Sequence, residues 1–301
     1  MINTKVNQER YSVTNQKQEL ARQAMYKSAE VRKAAGKTPN QGICIYDLCD
    51  KLGLTVRFVD NSSMEGIYLG GKKPTILLSA KRPLPRRNFT CAHELGHHVF
   101  GHNAKFDQLI GETQQSKTFQ PEEFLVDSFA GLLLMPKLAI RKAFTVRGWK
   151  PAFATPHQIF TIACAFGVGY ETLIYHMTYA LKILNYSSLQ SLLKVKPKKI
   201  REEIIGRPTT NPLIIADEHW SLPSIDVEVG NHLLLPHTTH SETDIITFEE
   251  NHPTGTLFLA NRPGIARVYC PGTQWALFVR VSRHQFIGLS QYRHLEGDED
   301  E

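Results

Sequence analysis

The run His93-Glu94-Leu95-Gly96-His97 contains three side chains that could bind a metal ion and activate water. Residues four apart on a helix lie on one face, so the two imidazoles can offer two nitrogen ligands to one ion. Glu94 is rotated about 100° around the helix from His93, which places its carboxylate beside the ion rather than on it. A carboxylate held there can accept a proton from a metal-bound water. The spacing therefore predicts a catalytic zinc site.

A histidine pair without a metal is the plainer interpretation of the same run. The neighbours Ala92, Leu95 and Val99 are small or apolar, which indicates that this helix is buried. Buried imidazoles and a buried carboxylate without partners would destabilise the fold, so a metal site is the favoured interpretation. His98 and His102 form another pair four residues apart, but no glutamate lies between them in the corresponding place. Hydrogen bonds within the fold are their expected role.

A catalytic zinc ion needs a third protein ligand and one open position. The extended pattern HExxHxxGxxH does not apply, because Gly101 and His102 are each displaced from it by one residue. The next predicted helix offers Glu123 as the ligand. Asp127, one turn later, can accept a hydrogen bond from a zinc-bound imidazole. Glu122, which points about 100° away from Glu123, is the alternative ligand.

Apolar periodicity and Gly or Pro breakers predict the elements that must hold the motif helix. Helices are expected at 16–33, 39–53, 89–101 and 120–135, and strands at 54–59, 66–69 and 75–78. The strand residues that precede the motif helix, as an edge strand, could pair with an extended substrate backbone, and plain sheet structure is the alternative. These residues are Gly66, Ile67, Tyr68 and Leu69.

The rest of the chain predicts two further regions in an α+β, multidomain protein. Two short helices broken at Gly167-Val168-Gly169 have the spacing of a helix-turn-helix. Short apolar runs separated by Gly, Pro and Asn after residue 213 indicate a β-rich domain. The predicted division is a metallopeptidase domain at 1–152, a helix-turn-helix-like helical domain at 153–206, a β-rich domain at 207–295 and an acidic tail at 296–301.

Two motifs together resemble one known family. The first runs from Phe89 through the histidine motif to His98, and the second, from Glu123 to Met135-Pro136, follows the pattern E-x-x-A-[ND]-x-F-A-x-x-L-L-M-P. Val126 stands where alanine is usual. This part of the chain resembles the ImmA/IrrE metallopeptidases, and the domain order resembles the longer IrrE-type members.

The resemblance implies a zincin-like domain with His93, His97 and Glu123 as zinc ligands, Glu94 as general base and Asp127 as the group that orients a histidine. It also implies a GAF-like C-terminal domain that takes a small-molecule signal. The implied function is a site-specific endopeptidase that cleaves a helix-turn-helix repressor and switches on a DNA-damage and radiation response. Zn²⁺ is the expected metal, with another divalent ion such as Mn²⁺ as the alternative.

Two roles stay open at the level of sequence. A zinc peptidase needs a donor that stabilises the oxyanion, and the candidates are Tyr170, Tyr175, Tyr179, His157, His176 and Arg87. A further metal site in the β-rich domain is less favoured than scattered loop histidines at His232, His237, His240 and His252.

A DNA-binding regulator with a structural or degenerate zinc site is the main alternative function. Residues 170–182, the second helix of the helix-turn-helix-like pair, carry one lysine and no arginine, which favours protein docking or core packing over direct DNA readout. Glu94 also argues against a structural site, because such a site needs no general base and closes with four protein ligands.

The composition of the chain indicates the broad class of protein and its cellular compartment. The chain has 301 residues, a formal net charge of +6 and five cysteines, an odd and widely spaced set that argues against a disulfide framework. The N-terminal residues are polar and no long apolar run occurs, so neither a signal peptide nor a membrane span is expected. These features predict a cytoplasmic protein.

Overall fold

The computed structural model describes residues 2–102, 106–108 and 119–295, with side chains described in these ranges except at residues 2–12 and 106–108. The predicted acidic tail lies outside the described residues. The α-helices are α1 (Ile2–Ala34), α2 (Ile45–Lys51), α3 (Leu84–Phe100), α4 (Pro121–Leu134), α5 (Lys137–Val146), α6 (Pro156–Ala165), α7 (Tyr170–Tyr175), α8 (Tyr186–Leu193) and α9 (Pro197–Ile205). The strands are β1 (Thr55–Val59), β2 (Met64–Leu69), β3 (Thr75–Ser79), β4 (Phe106–Gln108), β5 (Leu213–Ile215), β6 (Ser224–Glu228), β7 (His232–Leu235), β8 (His240–Ser241), β9 (Ile246–His252), β10 (Gly255–Ala260), β11 (Gly264–Tyr269), β12 (Ala276–Ser282) and β13 (Gly288–Leu289). The mixed α+β class is confirmed.

The first sheet supports the motif helix. Its strand order is β13, β1, β3, β2, β4, and β1 and β3 are parallel. Val56 and Phe58 of β1 lie beside Ile76 and Leu78 of β3, and all four are buried because alternate residues of a strand face the same side. α3 packs against β2 and β3, and α4 packs against both α3 and α1. The two helices that carry the predicted ligands are therefore neighbours on one core.

β2 is not the edge of this sheet in the described structure. β4 pairs antiparallel with it, opposite Met64 and Ile67. The strand predicted at Gly66–Leu69 exists, but β4 rather than this strand forms the edge of the sheet, so the expectation of an edge strand there is wrong. The physical reason is that the chain returns to the sheet after α3, and pairing with β4 satisfies backbone groups that an edge would leave open.

A sharp corner separates α6 from the helix that follows it. Thr155 caps α6 in a box with Gln158, in which each side chain bonds the other residue's backbone N–H. Gly167, at φ +61°, turns the chain, and the helical axis changes direction by 99° before α7 and the π-helical turn His176–Ala180. This angle is within the range of a helix-turn-helix pair. The prediction that this pair serves protein docking or core packing rather than direct DNA readout stays a prediction.

The described residues from 207 to 295 form two four-stranded sheets, ordered β5-β7-β10-β9 and β6-β12-β11-β8, and no α-helix. Their apolar faces share one core, to which Leu233, Phe258 and Val279 belong. The region is therefore β-rich. The GAF-like arrangement is a finer prediction that two packed sheets do not establish.

The last strand, β13, pairs with a strand on the other side of the predicted domain boundary. β13 pairs with β1, with Phe58 opposite Gly288, so the chain's end joins the first sheet. Arg280 and Arg293 both bond Asp226, and Arg280 also bonds Asp47 of α2. Burial would raise the pKa of Asp226, but these two arginines outweigh it and lower the pKa to about 2. The β-rich region is thereby held firmly against the N-terminal region.

No single described helix is both long and apolar enough to cross a membrane, although the bent pair formed by α6 and the helical segment 170–180 passes that test by length and composition. Both members of this pair contribute buried residues to the core, among them Ile159, Ile162, Leu173 and Met177.

Candidate metal centre

Close packing at two glycines fixes the position of α3. A Cβ added to Gly96 would lie 3.0 Å from Cβ of Val126 on α4, and one added to Gly66 would lie 2.6 Å from Cγ2 of Thr90. Because neither glycine has a side chain, α4 and β2 can both approach α3 closely. Val126 is fully buried at this contact. The larger residue in place of the usual alanine is therefore accommodated opposite a glycine.

Three side chains from α3 and α4 converge on one point. The Nε2 atoms of His93 and His97 are 3.2 Å apart, and Oε2 of Glu123 lies 3.4 Å from the first and 3.8 Å from the second. In a tetrahedral zinc site with bonds of about 2.0–2.1 Å, ligand atoms are roughly 3.4 Å apart. The nitrogen, nitrogen and oxygen donors thus have the separation and the chemistry that a zinc ion requires. Glu122, the alternative ligand, is not part of this group.

Glu94 lies beside the three ligands without joining them. Its side chain is buried at 1% exposure, and Gly66 of β2 approaches so closely that an added Cβ would be 3.1 Å from its Oε1. The group of converging ligand atoms does not include this carboxylate. The arrangement matches that expected for a base next to a metal-bound water.

Each histidine of this group has a partner on its other ring nitrogen. Nδ1 of His93 is 2.9 Å from Oδ1 of Asp127, as the spacing predicted. Nδ1 of His97 is 3.0 Å from Nδ1 of His102, a contact that sequence reasoning missed. Gly101 ends α3 in the left-handed conformation, at φ +70°, and turns His102 back toward the helix. In the sequence, Gly101 followed directly by His102 was the signal that could have predicted this contact.

His98, the other member of the alternative pair, faces a different partner. Its Nδ1 lies 2.8 Å from the hydroxyl oxygen of Tyr68 on β2. In the β-rich region, His232 pairs with Glu249 at 3.2 Å. No second group of three converging metal ligands occurs among the residues that the structure describes.

Replacing His102 by alanine is expected to weaken zinc binding about 10- to 100-fold, because a partner on the second ring nitrogen fixes the orientation of a ligating imidazole. Asp127→Ala should have a smaller effect, since that side chain is 60% exposed and the lost contact is partly replaced by water. Competition with a chromophoric chelator measures both affinities. Tyr68→Phe, which removes a partner from the non-ligating His98, is the control and should leave the affinity unchanged. Equal affinities in His102→Ala and the parent protein would contradict the assignment.

A cleft of about 1370 Å³ opens beside His93, one of the three candidate metal ligands. Thr90, His93 and Asp127 line one wall. α6, α7 and the π-helical turn form another wall, and Glu228 and His284 from the β-rich region complete it. One continuous space therefore connects the candidate metal centre with all three predicted regions.

Four of the six oxyanion candidates are already engaged in the fold. All four bond carbonyl or carboxylate groups, and the first three do so as follows: Tyr170 donates to Leu192 O at 2.9 Å, His157 pairs with Glu203 at 3.2 Å, and Arg87 pairs with Glu228 at 2.6 Å. The fourth is His176, whose Nε2 is 2.9 Å from Met135 O. Burial lowers the pKa of His176 to about 4 against the opposing effect of that carbonyl, so its ring is neutral near pH 7 and donates through Nε2.

Tyr175 and Tyr179 are the remaining candidates. They are 45% and 53% exposed, line the cleft, and stack with their ring centroids 6.2 Å apart. Their neighbour His176 lies against Gly131, eight residues beyond Glu123 on α4. Eight residues of helix span about 12 Å, so the segment that carries both tyrosines contacts α4 about that far from Glu123.

Comparison with known proteins agrees with the two sequence motifs. Residues 49–178 match the family described as the IrrE N-terminal-like domain. Among solved structures, the chain is similar to a Mycobacterium tuberculosis transcriptional regulator at 18% identity and a TM-score of 0.34, over 53% of this chain and 47% of that one. No curated protein sequence matches. All three converging side chains and Glu94 lie inside residues 49–178, the part of the chain that matches the IrrE N-terminal-like domain.

Proposed function

We propose that this chain is a zinc-dependent, site-specific endopeptidase that cleaves a helix-turn-helix transcriptional repressor in the cytoplasm and so switches on a response to DNA damage and radiation. The observation that carries the proposal is the convergence of His93, His97 and Glu123 beside a buried glutamate that is not one of the ligands. Two imidazoles and one carboxylate are a donor set typical of catalytic zinc, and Mn²⁺ is the alternative ion.

When bound, a zinc ion lowers the pKa of its water from about 15.7 to about 7. The Glu94 carboxylate would accept a proton from the water that attacks the peptide carbonyl and would return that proton to the leaving amine. Asp127 and His102 hold the two imidazoles through their second nitrogens. Tyr175 and Tyr179 contact the substrate farther along the cleft.

The remaining wall of the cleft suggests how the peptidase could be regulated. Glu228 and His284 belong to the β-rich region, and both line the cleft that contains His93. A small molecule bound by a GAF-like domain could therefore alter the shape of the substrate site.

The alternative function is a DNA-binding regulator whose zinc site is structural. A structural site closes with four protein ligands, whereas only three ligands converge among the described residues and one of them, His93, lines an open cleft. This difference favours the peptidase.

The test is incubation of the zinc-loaded protein with each helix-turn-helix repressor from the same genome. One repressor should be cut at a single bond, mapped by mass spectrometry, and a chelator should abolish the cut. Absence of cleavage across the whole set, together with tight sequence-specific DNA binding that does not depend on Glu94, would establish the alternative instead.

A further inference from the structure

Four cations form an exposed surface on α5 and the turn after it. These are Lys137, Arg141, Lys142 and Lys150, here called the α5 surface, and the exposed apolar side chains Leu138, Val146 and Phe153 lie among them. The chain has no aspartate or glutamate from residue 128 to residue 170. This stretch of the chain therefore contributes positive charge and no negative charge of its own.

None of the four cations of the α5 surface has a carboxylate partner among the described residues. On α9, by contrast, Lys198 and Lys199 each face a glutamate four residues later. Along α5, Lys137 and Arg141 are themselves four residues apart, so two like charges are neighbours. Such a pair destabilises a helix, and a bound polyanion would relieve the repulsion.

The α5 surface is also held rigidly. The opposite face of α5 is buried, with Ile140 and Phe144 at no more than 1% exposure. Arg147, just after the helix, bonds both carboxylate oxygens of Asp217 at 2.6 Å, which ties this end of α5 to the β-rich region. Because the backbone of α5 is fixed, its cations are presented at a constant spacing, and only their side-chain freedom is lost on binding a ligand of regular charge.

We propose that the α5 surface binds the phosphate backbone of duplex DNA without reading its sequence. Duplex DNA carries about one negative charge per 1.7 Å of axis, so it can meet several fixed cations at once. Lys137 and Arg141 are separated by about 6 Å along the helix. Contacts of this kind position a protein on DNA but carry no base information. The argument against DNA readout concerned residues 170–182, whereas this proposal concerns α5, so the two do not conflict. The proposal also does not depend on the proposed peptidase activity.

The experiment measures binding of the full-length protein to a labelled random-sequence duplex of about 20 base pairs by fluorescence anisotropy over a range of salt concentrations. Four phosphate contacts predict a slope of log affinity against log salt of roughly −3.6, equivalent to about a 150-fold loss for a fourfold rise in salt. The variant Lys137→Gln/Arg141→Gln/Lys142→Gln/Lys150→Gln should lose this binding, with an unfolding temperature no lower than that of the parent protein because all four side chains are exposed.

The matched control removes the same number of charges where each has a carboxylate partner: Lys196→Gln, Lys198→Gln, Lys199→Gln and Arg207→Gln. This control should keep its affinity within about twofold, as should Glu94→Gln. An equal loss in the control, or no measurable binding by the parent protein at low salt, would overturn the proposal. Equally tight binding of poly-L-glutamate would overturn it as well, because the surface would then favour acidic protein.

Discussion

Glu94→Gln is expected to retain bound zinc while lowering the rate of peptide hydrolysis by about 10²- to 10⁴-fold, the usual contribution of a general base. Glutamine has nearly the same shape as glutamate but cannot accept the proton from the attacking water. Zinc content is measured by elemental analysis and hydrolysis by the rate of repressor cleavage. The structural basis is that the Glu94 carboxylate is buried beside the ligands yet is not one of them.

Two further variants distinguish loss of the general base from loss of the zinc ion. Glu123→Gln should lose zinc together with activity, because the Glu123 carboxylate is one of the three converging ligands. Glu122→Gln changes an adjacent carboxylate outside that group and should leave zinc content and rate unchanged. If Glu94→Gln cleaves at the parental rate, the role of Glu94 is wrong, whereas loss of zinc from Glu122→Gln would reassign the third ligand.

Glu228→Ala is expected to destabilise the protein by about 3–5 kcal/mol, the cost of leaving a buried charge without its partner. Arg87, in the first turns of α3, is 2.6 Å from Glu228, and the two side chains are only 3% and 8% exposed. The Arg87 guanidinium also lies over the ring of Phe58, at 5.3 Å from its centroid. Urea unfolding monitored by tryptophan fluorescence measures the change.

The double variant Arg87→Met/Glu228→Met should recover most of this stability, because apolar residues of similar length remove both charges and keep the packing. The exposed pair Arg207–Glu250 is the matched comparison at 2.7 Å with side chains 47% and 41% exposed. Arg207→Ala should cost no more than about 1 kcal/mol, since water screens such a pair. If Glu228→Ala and Arg207→Ala lower the free energy of unfolding by similar amounts, the buried Arg87–Glu228 pair contributes no more to stability than an exposed pair does.

Because of the Arg87–Glu228 pair, deletion of the β-rich region is a poor test of whether that region regulates the peptidase. Removing that region would leave Arg87 without its carboxylate partner and would remove β13 from the first sheet. Truncation would therefore perturb α3 itself. The single and double substitutions at these positions separate this structural coupling from any regulatory signal more cleanly.

The sequence by itself determined the chemistry of the centre. The spacing of His93 and His97, with Glu94 between them, follows from the helical repeat, and the same repeat relates Glu123 to Asp127. Periodicity operates over a few residues, so these relations could be read without knowing the fold. The structure brings all five residues together at the junction of α3 and α4.

The tertiary structure decided the features that depend on contacts between distant parts of the chain. Arg87 was a candidate for catalysis until its partner proved to be Glu228, 141 residues away. β4 covers β2, and β13 joins the first sheet from the other end of the chain. His102 became a partner of His97 only through the left-handed turn at Gly101. Strand pairing and burial depend on which surfaces meet, and no local pattern of residue types specifies that.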